Sequence, residues 1–150
     1  MRLFSFHPLV LVSLLTCESL AGGGLLMPTA QTTYSWPLRL GGRLGLNLLE
    51  PVEGSRYAYT GTSLSLEAAR DGMRLGIGNR CQQMGFLPLF GAGLGVSGMY
   101  IWEGDDSAFL GLEAGASILV ASIYGGLYRR VSGEALDDLV LSIGFGSGLP

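Results

Sequence analysis

Six charged side chains are placed where they could act together: Arg39, Arg43, Glu67, Arg74, Glu113 and Arg130. Each falls in a stretch that alternates large apolar residues with small ones, and each takes the small-residue side. Acid–base work by paired carboxylates needs two acids on one face at close range. Glu67 and Glu113 are the only acids so placed. The arginines around them, with Arg80 on the same face, give both a structural role as a neutralising charge network. No relay chemistry is expected either. The single histidine, His7, lies in a segment that reads as a removable leader. A mature chain without histidine lacks a Ser-His-Asp relay, a Cys-His pair and any His-ligated metal.

The remaining reactive groups are few. Cys17 lies in the same leader, so the mature chain would keep one thiol, Cys81, and no internal disulfide. Gly91-x-Gly93-x-Gly95 alternates as strand glycine with no helix after it, so it is not a dinucleotide loop. Two acidic clusters, Glu103, Asp105 and Asp106, then Glu134, Asp137 and Asp138, sit between periodic stretches. They are either solvated loops or loops that meet a partner. No cofactor is expected.

The elements that carry these residues are strands. At 139–148, Leu139, Leu141, Ile143 and Phe145 alternate with Ser142, Gly144, Gly146 and Gly148. A period of two puts these sets on opposite faces of a strand. The same pattern runs through 36–49, 57–69, 73–80, 86–102, 108–120 and 122–131, with a short turn expected near 119–122. Asp71-Gly72 suits a two-residue hairpin. Tyr100 and Trp102 end one apolar stripe, where rings gather at a membrane–water boundary. A helix would scatter these sets, and each interior glycine would cost about 1 kcal/mol relative to Ala.

Composition agrees with one domain of unusual surface. The 150 residues include 25 glycines, are 48% hydrophobic and only 14% charged. All nine basic residues are arginine, and the net charge of -3 gives no reason to expect nucleic acid. Past the N-terminus no apolar run reaches the roughly 20 residues of a membrane helix. Residues 1–21 read as a secretory signal: Arg2, an apolar stretch, then Ser19-Leu20-Ala21 at the cleavage site. A lipoprotein leader ending at Cys17 is the rival. Residues 22–35 read as an irregular N-terminal segment and 36–150 as the barrel domain.

The two faces decide what covers the leucines. Soluble sheets dress their outer face with Lys, Glu and Thr. Here the second face is Gly and Ser with isolated Arg and Glu. Lipid outside and a crowded lumen inside account for both faces. The signal sequence, the Gly-rich alternating strands and the closing Leu141-Ser142-Ile143-Gly144-Phe145-Gly146 make this chain resemble the small outer-membrane β-barrels of Gram-negative bacteria, of the OmpA-transmembrane-domain or OmpX type. Such barrels end on an aromatic residue; here Phe145 is set back from Pro150.

The resemblance implies an all-β, antiparallel up-and-down transmembrane barrel of about eight strands behind a cleavable signal peptide. Seven strands are visible and such barrels have an even number, so either 22–35 hides a strand or two are merged within 86–102 or 108–131. It further implies outer-membrane localisation, lipid as the surrounding partner, and periplasmic chaperones and the barrel-assembly machinery during biogenesis. A structural, adhesive or loop-mediated role without catalysis follows. The alternative is a soluble secreted barrel or sandwich that binds a small apolar ligand.

Overall fold

The computed structural model describes residues 18–19, 24–85, 88–103, 106–133 and 138–149. Among them run β1 (Glu18–Ser19), β2 (Leu25–Trp36), β3 (Arg39–Pro51), β4 (Ala58–Ala69), β5 (Gly72–Met84), β6 (Pro88–Ile101), β7 (Ser107–Ile118), β8 (Ala121–Ser132) and β9 (Leu139–Leu149). Neighbours pair antiparallel in chain order, and β2 also pairs with β9. Strands β2 to β9 therefore close an eight-stranded up-and-down barrel. β1 adds two residues of pairing at the start of β2.

The register sets the shape. From Leu25 the partners run Leu49, Gly61, Arg80, Gly93, Gly115, Tyr124 and Gly144, and return to β2 at Ser35. One circuit advances the strand by ten residues, the difference between positions 35 and 25. With about 3.3 Å per residue and about 4.8 Å between strands, that stagger tilts the strands by roughly 40°. It sets a backbone radius of about 8 Å, so long side chains from opposite walls can meet.

Small inward residues make so narrow a barrel possible. A Cβ on Gly61 would overlap the carbonyl of Leu48, and one on Gly111 that of Leu127. The large residues go outward. Among the described residues eight hydrophobic side chains are buried, while thirty large ones are exposed, from every barrel strand. Leu94 is 65% exposed and Leu112 62%. The molecule is thus apolar outside and polar inside, the reverse of a soluble domain.

The connections divide between two ends. Among the described connecting residues, 37–38, 70–71, 102–103, 106, 133 and 138 lie at the distal end. Residues 52–57, 85 and 119–120 lie at the terminal end, where β2 starts and β9 stops. The turn near 119–122 falls at 119–120, with Leu119 at φ 52.

Several expectations are corrected. Most of the irregular segment 22–35 is strand β2, so the barrel begins at Leu25, and this is the missing eighth strand. Its inward face, with Thr29, Gln31, Thr33 and Ser35, is polar. Its outward face runs Leu26, Pro28, Ala30, Thr32, Tyr34 and Trp36, so Pro28, Ala30 and Thr32 interrupt the apolar stripe that would announce it. Leu38 does not join the outward leucines. It sits in the β2–β3 turn and is fully buried. The β4–β5 turn is Arg70-Asp71, and Gly72 is the first residue of β5. Gly72 is needed for close approach: a Cβ there would overlap the Tyr100 carbonyl oxygen. The leader, 1–21, lies outside the described residues except for Glu18–Ser19.

Candidate functional site

Three neighbouring strands carry Arg43, Glu67 and Arg74 as directly opposed residues, Arg43 facing Glu67 and Glu67 facing Arg74. All three point inward because they keep step with the glycines and serines of β3, β4 and β5. Glu113 enters from β7, on the far wall from β3.

Arg74 is the hub. Its Nη2 lies 2.8 Å from Glu67 Oε2 and its Nη1 2.9 Å from Glu113 Oε2. It also donates to Ser35 Oγ at 3.1 Å, Tyr128 OH at 3.2 Å and Ser142 Oγ at 3.3 Å. Arg43 pairs with Glu113 Oε1 and donates to Ser65 Oγ at 3.0 Å. Glu67 Oε1 accepts from Thr33, Ser35 and Tyr124 hydroxyls at 3.0, 2.9 and 3.1 Å. Tyr128 donates to Glu113 Oε2 at 2.9 Å. Arg43 and Arg74 also lie over the Tyr124 ring, 4.6 and 5.0 Å from its centre. Gly144 lies beneath that ring, and a Cβ there would overlap it.

Chemically this is a closed charge-pairing device. Both carboxylates are held by guanidinium groups, Glu67 by Arg74 and Glu113 by Arg43 and Arg74. Among the described residues no three His, Cys, Asp or Glu side chains gather as a metal site.

The cluster is capped on its distal side by an apolar plug of Leu38, Met99, Phe109, Tyr128 and Val140, with Ala69 and Ile101 against it. On its terminal-end side lies a polar cavity of about 100 Å³, walled by Arg43, Arg80, Glu113, Gln31 and Ser117 among others. Arg80 donates from Nε to Gln82 Oε1 at 2.9 Å and from Nη2 to Ser117 Oγ at 2.7 Å.

Two of the six expected network members lie elsewhere. Arg39, at φ 65 where β3 leaves its turn, pairs with Asp71 at 2.7 Å and is half exposed. Arg130 pairs with Asp138 at the β8–β9 connection. Both are near the distal rim, because strand alternation specifies a face and not a height. Arg80 and the buried Asp71 belong to the charged interior and rim as well. Asp71 follows a turn residue and has no alternation to mark it.

The acidic loops are seen in part. Glu103 and Asp106 are exposed, and Asp138 is held by Arg130. Asp105, Glu134 and Asp137 lie outside the described residues. The two loops approach each other: a Cβ on Gly133 would come 2.7 Å from Asp106 O. The Asp71 carbonyl accepts from the Trp102 amide at 3.0 Å, and Trp102 Nε1 donates to Arg70 O at 2.8 Å. Three distal connections are thereby laced into one surface. No protein-family model, curated protein or solved structure matches the chain.

Proposed function

We propose that this chain is a small outer-membrane barrel of the OmpA-transmembrane-domain or OmpX type, without catalysis, whose distal loops meet a partner outside the cell. One observation carries the reading: leucine, isoleucine, valine and aromatic side chains cover the outside of all eight strands, around a polar interior. Each outward side chain moved from water into hydrocarbon gains of order 1 kcal/mol, since its neighbours already shield about half of it. Summed over the circumference, that is a large drive into a bilayer. Strands of twelve residues tilted by about 40° stand roughly 30 Å high, the thickness of a hydrocarbon core. Tyr34, Trp36, Tyr100 and Trp102 are outward at the distal end, at the height of lipid headgroups.

The plug of Leu38, Met99, Phe109, Tyr128 and Val140 argues against a pore for solutes. Function then rests with the distal connections, where Glu103 and Asp106 are exposed. A soluble carrier of apolar ligands needs an apolar hollow, whereas the cavity here is walled by Arg43, Arg80 and Ser117.

The test is fractionation of expressing cells with gel migration in detergent, before and after boiling. An outer-membrane barrel stays with the membrane fraction and changes mobility on boiling. Monodisperse native protein in buffer without amphiphile would overturn the reading.

A further inference from the structure

The middle of the lumen holds three guanidinium groups, Arg43, Arg74 and Arg80, against two carboxylates, Glu67 and Glu113. Arg74 touches both carboxylates, and Arg43 touches Glu113. Arg80 touches neither. The partners that hold it, Gln82 and Ser117, are neutral. Among the described residues no carboxylate lies within ion-pair distance of it. One positive charge is therefore left uncompensated on a cavity wall.

That wall is built to hold the cation in place. Gly91 leaves the room the Arg80 head needs: a Cβ there would come 2.6 Å from both Arg80 Nη2 and Ser117 Oγ. Gln82 is itself anchored, its Nε2 donating to Phe90 O at 2.8 Å. Arg80 is thus fixed at one side of the hollow, with Arg43, Ser63 and Gln31 on the same lining. A partly desolvated cation without a counter-ion is costly. The hollow of about 100 Å³ has room for a small ion and water.

We propose that this cavity binds a small monovalent inorganic anion of the chloride type, held by Arg80 and Arg43. A single negative charge completes neutrality. A doubly charged oxyanion would leave the lumen with an excess negative charge beside Glu113 and would cost far more to strip of water. The site depends on the lumen alone and stands whether lipid or protein covers the leucines.

The test uses chloride NMR on the full chain folded in detergent, with ionic strength held constant by gluconate, a bulky and weakly coordinating anion. Saturable chloride broadening, displaced by bromide and weakly by phosphate, is expected. Arg80→Gln weakens it by roughly tenfold or more, because a charge-assisted contact is lost. Arg80→Lys keeps the charge and most of the binding. Mobility on unboiled gels reports folding of each variant. If Arg80→Gln does not fold, wild type against Arg80→Lys and chloride against gluconate still decide. Absence of saturable broadening in the wild type, or equal binding by a folded Arg80→Gln, overturns the proposal.

Discussion

Arg43 and Glu113 join walls of the barrel that face each other, β3 and β7, four strands apart in a ring of eight. Glu67 with Tyr124 does the same for β4 and β8, at 3.1 Å. Arg74 with Ser142 does it for β5 and β9, at 3.3 Å. A backbone radius of about 8 Å allows such ties only where at least one long side chain reaches across, which is why Arg, Glu or Tyr takes part in each. The polar interior is a brace across the barrel.

Arg74 is the member whose loss costs most. Arg74→Met leaves Glu67, 1% exposed, without its ion-pair partner. Breaking a buried pair this way costs about 3–5 kcal/mol. Urea unfolding of the detergent-folded barrel measures it. Adding Glu67→Gln to Arg74→Met recovers part of the loss, as a double-mutant cycle reads.

Leu38 and Leu40 differ by two positions and have opposite surroundings. Leu38 is fully buried in the plug and Leu40 is 62% exposed. Leu38→Ala opens a cavity and costs about 2–5 kcal/mol. Leu40→Ala costs less than half of that, since it leaves no enclosed void. The same unfolding experiment separates them, and equal losses would contradict the inward placement of Leu38.

Charge placed outside discriminates what surrounds the barrel. Leu112→Arg, midway along β7, costs about 2–4 kcal/mol if its side chain faces lipid. Ser63→Gln, on the polar lining, changes stability by no more than about 0.5 kcal/mol. Vesicle insertion yields read both. Full insertion of Leu112→Arg at the wild-type yield would count against a bilayer at that face.

Leu119 holds φ 52 in the two-residue turn between β7 and β8. A non-glycine residue there carries roughly 1–2 kcal/mol of local strain. Leu119→Gly is expected to gain up to about 1 kcal/mol net, because glycine also loosens the unfolded chain. A higher unfolding midpoint is the readout.

Sequence alone determined the two faces. Leucine against glycine at a period of two marks seven of the eight strands and the inward pointing of Arg43, Glu67, Arg74 and Glu113, and the length of the run 108–131, too great for one membrane strand, calls for the turn near Leu119. Alternation is a local property, set by the pleat of one strand. It did not mark β2, whose outward side is broken by Pro28, Ala30 and Thr32 between Leu26 and Tyr34, so the apolar half of the signal is interrupted. Nor could it set height along the axis. Arg39 and Arg130 share the period of Arg43 and Arg74, yet end in ion pairs with Asp71 and Asp138 at the distal rim. Which arginine meets which carboxylate, the turn that drives Leu38 inward, and the charge left over on Arg80 follow from the ten-residue stagger of closure. That stagger comes from eight strands pairing at once, and no single stretch of the chain contains it.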